Sequence, residues 1–330
     1  MNNRMKVMFF WMGALLCSSL ACNTATKLIH SDKPAFPSNR TQSAQGDSCP
    51  SVLNDIMAAA TTPGGYEVAD KETYLATYTV IGEKITDPVF QTVLDEYTTQ
   101  QNDLETQKEI WDYFASLIPE QKREMITNYS ILTDGKDNVL AAVAQTRADP
   151  RKWVLEVDIA DAKDHANLTF TMIHEFGHLL TLNSDQVPPD VNVFHNPGNE
   201  EVFRQEAAMC SNYFTSEGCS QPNSYINQFY RQFWDDIYPE WSQIDHIDDV
   251  VLYYEKMNEF YKQHADRFVS EYASTNPVED IAETWVHFVL APKPTRDTVA
   301  DQKVLFFYEH PELVQLRTEI LSRLCAVYPE

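Results

Sequence analysis

The chain has 330 residues, 43% of them hydrophobic, and a formal net charge of −24 at pH 7. That apolar content suffices for one large core or two modest ones. The acidic balance excludes nucleic-acid binding and adhesion to anionic lipid surfaces, and it keeps an exposed protein soluble; calcium is a conceivable counter-ion, but no EF-hand-like loop is present.

Residues 1–21 read as a signal peptide. Arg4 and Lys6 form a positive start, Val7 to Leu16 an apolar run, and Ser19-Leu20-Ala21 a small-residue cleavage site. The apolar run is about half of what crossing a bilayer requires. Cys22 follows at once, in a setting similar to the cleavage site of bacterial lipoproteins, although Ser19 stands where that pattern prefers leucine. Six cysteines are present. With Cys17 removed and Cys22 lipidated, Cys49, Cys210, Cys219 and Cys325 remain, an even set suited to an oxidising compartment. A Cys210–Cys219 bridge would close a short loop, and a Cys49–Cys325 bridge would tie the two ends of the domain together. The expected location is therefore extracytoplasmic, with membrane attachment only through the lipid anchor at Cys22.

Residues 22–50 continue as a polar tether rich in Ser, Thr, Asn, Gln and Pro. Residues 51–330 form the globular part, with 51–128 as an N-terminal subdomain. Thr73–Ile81 has strand-like content, and Phe90–Leu117 reads as one helix stopped by Pro119. Three short strands follow at Tyr129–Leu132, Val139–Thr146 and Trp153–Ile159, and Asp134-Gly135 offers a hairpin turn between the first two. A helix is expected from about Leu168 to Leu182, with Asn183 ending it. Residues 184–245 lack clear periodicity and read as a loop-rich insertion holding the Cys210/Cys219 pair. The remainder, 246–328, is mostly helical, broken at Asn276-Pro277, around Pro292-Lys293-Pro294 and at Pro311. A small sheet followed by helices gives an α+β class.

The chemistry centres on His174-Glu175-Phe176-Gly177-His178, an HExxH motif inside a predicted helix. Histidines four residues apart on a helix project from one face, about 6 Å apart, within reach of one zinc ion. Glu175 between them is placed to act as general base on water that such an ion activates. A core helix carrying two incidental histidines is the bland alternative. Against it, Leu168, Met172, Ile173, Phe176, Leu179 and Leu180 form one apolar stripe, and His174 and His178 lie together off it, facing a predicted cleft.

A third ligand is required. The metzincin extension would need glycine at 181 and histidine at 184, where the chain has Thr181 and Ser184. Two other places offer a glutamate. In Asn276-Pro277-Val278-Glu279-Asp280-Ile281-Ala282-Glu283, Asn276 can cap a helix, and Pro277 suits its first position. Glu279 and Glu283 then sit one turn apart at the edge of a buried stripe, while Asp280 and His287 point away. Glu279 as ligand leaves Glu283 to accept the far N–H of a ligating histidine. Glu279 as a capping-box residue is the competing reading. Asn199-Glu200-Glu201 is the second place, closer in sequence to His178 but without a carboxylate four residues on.

His174-Glu-Phe-Gly-His178 together with Tyr272-Ala-Ser-Thr-Asn276-Pro-Val-Glu279-Asp-Ile-Ala-Glu283 resembles the gluzincin peptidases of the anthrax lethal factor type. The resemblance covers about residues 166–183 and 268–290, and the long segment between them departs from it. It implies a zincin-like domain in which a small sheet packs on the HExxH helix. It further implies His174, His178 and Glu279 as zinc ligands, Glu175 as base, Tyr272 as the phenol that stabilises the oxyanion, and Glu283 as partner of a ligating histidine. The expected function is zinc-dependent hydrolysis of extracellular or envelope peptides or proteins by a monomer. An inactive peptide-binding lipoprotein of the same fold is the alternative. A purely structural zinc is disfavoured, since closed sites usually have four protein ligands rich in cysteine.

Overall fold

The computed structural model describes residues 49–60, 72–135 and 139–328. The signal peptide, Cys22 and most of the tether lie outside these residues. The chain is α+β. Its mixed sheet is built from β1 (Thr73–Ile81), β2 (Lys84–Ile85), β3 (Val89–Phe90), β4 (Ile126–Thr133), β5 (Ala141–Gln145) and β6 (Trp153–Asp158). The order is β2-β1-β4-β6-β5, with β3 also paired to β1. Only β4 and β6 run parallel; the other pairs are antiparallel.

Twelve helices accompany the sheet among the described residues: α1 (Pro50–Ala60), α2 (Thr98–Gln101), α3 (Leu104–Leu117), α4 (His165–Leu182), α5 (Val191–His195), α6 (Glu200–Met209), α7 (Tyr225–Phe233), α8 (Tyr238–Asp245), α9 (Val250–Gln263), α10 (Pro277–Leu290), α11 (Val299–Tyr308) and α12 (Pro311–Val327). The breaks at Pro277 and Pro311 fall as the sequence indicates. Each proline occupies the first turn of its helix, where its missing N–H has no intrahelical partner to lose.

Three expectations need correction. Phe90–Leu117 is not one helix. Val89 and Phe90 pair with Thr77 and Ala76 as a strand, and Asp103 caps a new helix by accepting the Thr106 N–H at 3.3 Å. Asp134-Gly135 is not a hairpin turn either, because β6 lies between β4 and β5 and pairs with both. The parallel β4–β6 pairing inserts a long connection where local turn chemistry alone suggests a short one. Residues 184–245, expected to be loop-rich, carry α5 to α8. These helices have 5 to 10 residues, so each offers at most two or three turns of apolar pattern.

Residues 73–81 belong to the same sheet as β4 to β6: β1 is hydrogen-bonded to β4 from Thr73 through Thr79. Tyr78 and Tyr129 from those two strands both bond Gln107 of α3, at 2.5 and 2.9 Å. The expected N-terminal subdomain thus shares its sheet and its core with the segment that follows it.

Both expected cysteine pairs are bridged, Cys49–Cys325 and Cys210–Cys219, with Cα separations of 5.5 and 5.6 Å. The first closes a loop of 276 residues. Long loops forfeit more unfolded-state entropy when closed, so it is the stronger constraint. Two disulfides fit an extracytoplasmic, oxidising compartment. Among the described residues no helix is long and apolar enough to cross a membrane.

The centre of the molecule is the packing of α4 on α10, with β5 and α1 also against α4. Asp164 caps α4 by accepting the N–H groups of Ala166 and Asn167 at 3.1 Å each, which starts the helix three residues before the apolar stripe does. Asn183 ends it by donating its amide to the carbonyls of Leu179 and Leu180. Gly177 faces α10 so closely that a β-carbon there would lie 3.1 Å from Trp285 Cδ1 and 3.2 Å from Ala282 Cα. The missing side chain at this position lets the two helices approach.

Candidate metal centre

The site is assembled where α4 crosses α10. His174 and His178 come from adjacent turns of α4, and Glu279 and Glu283 from adjacent turns of α10. All four are buried, as is Glu175. The expectation that the histidines face an open cleft is only half right: α10 covers the face that the helical wheel left polar.

Three donor atoms converge. His174 Nε2 lies 3.0 Å from His178 Nε2 and 3.1 Å from Glu279 Oε2, and the third edge, His178 Nε2 to Glu279 Oε2, is 3.3 Å. An ion held tetrahedrally at bonds of about 2.0–2.1 Å separates its ligand atoms by about 3.3 Å. The triangle therefore has the size that a small cation requires, and His174, His178 and Glu279 are close enough to hold one. Two nitrogens and one carboxylate oxygen suit zinc better than calcium or magnesium, which prefer all-oxygen sets. Three protein donors, none of them a thiolate, are the pattern of a site that keeps one position open.

His174 Nδ1 lies 3.0 Å from Glu283 Oε1. Hydrogen bonding to an ionised Glu283 places a proton on Nδ1; with no ion present Nε2 carries a second proton toward Glu279, and its lone pair becomes free for an ion once that proton leaves. Glu283 is held in turn by Ser270, whose hydroxyl donates to Oε2 at 2.7 Å. His178 Nδ1 is buried without a hydrogen-bond partner among the described residues.

The electrostatics follow from burial and crowding. Burial opposes protonation of His174, but hydrogen bonds to Glu279 and Glu283 hold its pKa well above the ordinary histidine value. For Glu279, burial pushes upward and is outweighed by the positive field of His178 and the hydrogen bonds from both histidines, so the carboxyl stays ionised far below its usual range. Glu283 is likewise lowered against its burial, chiefly by His174. Glu175 differs. Burial raises it to about 7, only partly offset by the two histidines and by the backbone N–H of Val143 in β5.

Of the candidate third ligands, the fold brings Glu279 to the histidines and leaves Glu200 and Glu201 exposed on α6. Asn276 caps α10 by itself, accepting the N–H groups of Val278 at 2.9 Å and Glu279 at 3.0 Å. The Glu279 side chain turns to the histidines instead of closing a capping box. Glu200 and Glu201 lie exposed in the first turn of α6, where Glu201 engages Arg204 at 2.7 Å and Gln205 at 2.8 Å. Tyr272 is brought to the centre by a 3-10 turn just before α10. Its ring centroid is 5.9 Å from that of His174. Burial and the Glu175, Glu279 and Glu283 carboxylates around it raise its pKa well above the ordinary tyrosine value, so it remains a proton donor, bonded to Glu279.

Sequence reasoning missed Ser270 and the Val143 backbone. Ser270 stands two residues before the resemblance to gluzincins gains its first functional residue, and nothing about an isolated serine there signals a partner for Glu283. Val143 acts through its main chain, which leaves no trace in residue type. No protein-family model, curated protein or solved structure matches this chain, and what the site can do follows from its own donor set and geometry.

Proposed function

We propose that this chain is a zinc-dependent peptidase of gluzincin type with a zincin-like fold, exported and anchored at Cys22. It acts on extracellular or envelope peptides or proteins. The observation that carries the proposal is the 3.0–3.3 Å triangle of His174, His178 and Glu279 donor atoms beside a buried glutamate titrating near 7. His174, His178 and Glu279 would hold the ion. When bound, zinc supplies a Lewis acid that acidifies water and polarises a substrate carbonyl.

The chain's own groups supply the rest. Glu175, with a pKa near 7, can take the proton of the attacking water and return it to the leaving amine at neutral pH. Tyr272 keeps its hydroxyl proton and can donate it as a hydrogen bond to the oxygen on which negative charge develops. Glu283 and Ser270 hold His174 in one orientation. A peptide substrate is favoured by β5, which has β6 as its one strand partner among the described residues and packs on α4. Its outer edge offers backbone groups to which an extended peptide can add as a further strand.

The test is Glu175→Gln, compared with wild type for zinc content and for cleavage of a mixed peptide library. The variant is expected to keep fold and zinc and to lose activity by about 10²–10⁴-fold, the worth of a positioned acid–base group. Wild-type turnover in Glu175→Gln would end the mechanism. Zinc-loaded wild type that cleaves nothing, yet retains peptides, would favour the binding-module alternative.

A further inference from the structure

On the flank of α10 that faces away from the donor triangle lies a buried ion pair. Asp280, the residue after Glu279, and Lys303 of α11 both have fully buried side chains, and Lys303 Nζ lies 2.5 Å from Asp280 Oδ2. The same oxygen accepts the Trp234 indole N–H at 2.7 Å, and Oδ1 accepts the Thr284 hydroxyl at 3.3 Å. The ammonium sits among aromatic rings, 4.1 Å from the Phe268 centroid and 5.8 Å from those of Phe229 and Trp234.

Such a pair is a poor device for stability. Replacing a buried pair by apolar residues of similar volume is often neutral or stabilising. What directional bonds supply, and apolar packing does not, is a fixed rotation and register. That is what the opposite flank of the helix needs. Glu279 must meet His174 Nε2 while Glu283 meets Nδ1 of the same ring, at 3.1 and 3.0 Å. A slide of α10 along its axis that brought one carboxylate closer would pull the other away, and a rotation would carry both off the His174 ring. Functional constellations tolerate errors of only about 0.5 Å.

We propose that Asp280, Lys303 and Trp234 are positioning residues that lock α10 in the one rotation and register at which Glu279 and Glu283 engage both nitrogens of His174. They touch neither the donor triangle nor a substrate. The inference deepens the metal-centre reading and rests on it, but the alignment it describes is present in the protein's own hydrogen bonds with no metal bound.

The experiment therefore has a metal-free readout and a metal readout. In full-length mature protein, Asp280→Leu/Lys303→Met replaces the pair by apolar side chains of similar size, and Asp280→Asn/Lys303→Met keeps an acceptor for Trp234 and Thr284 without leaving a buried charge. The first readout is the ¹⁵N–¹H NMR signals of the His174 ring, whose hydrogen-bonded N–H groups report contact with Glu279 and Glu283. The second is the visible absorption spectrum of bound Co²⁺ and its affinity. The double variant is expected to melt within a few degrees of wild type, to lose or shift the His174 N–H signal, and to bind Co²⁺ about 10-fold or more weakly with an altered spectrum. Asp280→Asn/Lys303→Met should restore most of the wild-type signal and spectrum. Trp234→Phe, which removes one bond and keeps the ring's bulk, should weaken Co²⁺ by a few fold and serves where the double variant does not fold. A folded double variant with wild-type His174 signals, Co²⁺ spectrum and affinity would overturn the proposal, as would a Trp234→Phe variant indistinguishable from wild type. Wild type that takes no metal at all would defeat the peptidase reading, and the His174 signals would still decide the alignment.

Discussion

Two clusters in this molecule have the outline of a cation site, and they differ in what their lone pairs are doing. His174, His178 and Glu279 form one; Asp134, Asp158 and Asp161 form the other. In the first, the donor atoms point at a common centre, and His174 is oriented from behind by Glu283, which Ser270 holds in turn. In the second, the Asp134 and Asp158 carboxylates are engaged in local structure. Asp158 accepts the N–H groups of Asp134 at 2.8 Å and Ala160 at 2.6 Å, while Asp134 accepts that of Val139 at 3.2 Å. Burial, with the Asp134 and Asp161 carboxyls crowded beside it, raises the Asp158 pKa to about 8, so a proton is held among these carboxyls at neutral pH. Closeness of acidic atoms is thus a weak sign of a metal site. Convergence of uncommitted lone pairs, supported from outside, is a strong one.

The widest break between the clusters should come from deleting a donor in each. His178→Ala is expected to leave the protein without stoichiometric metal after dialysis, measured by elemental analysis. Asp158→Asn should leave the metal content unchanged. Metal loss in the aspartate variant would move the centre to the sheet and dissolve the contrast.

A smaller, graded series sharpens the first cluster. Glu279→Ala should be isolated nearly metal-free. Glu283→Ala should bind zinc about 10- to 100-fold more weakly, as is typical when the partner of a ligating histidine is lost. The Glu200→Ala/Glu201→Ala double variant should bind normally, since those side chains are exposed and Glu201 is engaged with Arg204 and Gln205. Competition with a chromophoric chelator ranks the three. A metal-free variant at 200 and 201 would reassign the third ligand.

Much of the first cluster was legible in the sequence because its determinants are local. The i, i+4 histidines of α4 and the i, i+4 glutamates of α10 each follow from helical spacing, and Asn276-Pro277 marks where the second helix begins. That α10 lies against α4 close enough to bury both histidines is a tertiary fact, encoded only faintly in Gly177. The order of the sheet was not legible. Asp134-Gly135 has hairpin chemistry, but the pairing of β4 with β6 was decided by long-range burial of both strands. In 184–245 a usable signal existed. Ser224 caps α7, and Ile226, Phe229 and Phe233 recur at helical spacing on its buried face. Nine residues of pattern amid many aromatics did not stand out from packing elsewhere.

The smallest effect belongs to the second cluster and concerns its shared proton. Burial, more than the hydrogen bonding around it, raises the Asp158 carboxyl to about 8. In an unfolded chain an aspartate titrates near about 3.9. Between these values the folded protein holds a proton that the unfolded chain has released, so this group's contribution to stability falls as pH rises from about 4 to about 8 and levels off above that. Asp134→Asn should weaken the dependence, since burial of Asp158 remains. Its amide N–H can donate to an ionised Asp158 in place of the shared proton, and its amide oxygen can still accept the Val139 N–H. Urea midpoints at pH 5 and pH 8 measure the difference, and the glutamates that titrate near 7, Glu156 and Glu175, contribute equally to both proteins and cancel. The variant is expected to match wild type at pH 5 and exceed it at pH 8 by about 1 kcal/mol, the net worth of one buried hydrogen bond. A variant that loses stability toward pH 8 as steeply as wild type would remove the shared proton from the account. Calcium that raises the wild-type midpoint at pH 8, but not the variant's, would show these carboxylates acting as ligands after all, and the two clusters would then differ in metal rather than in kind.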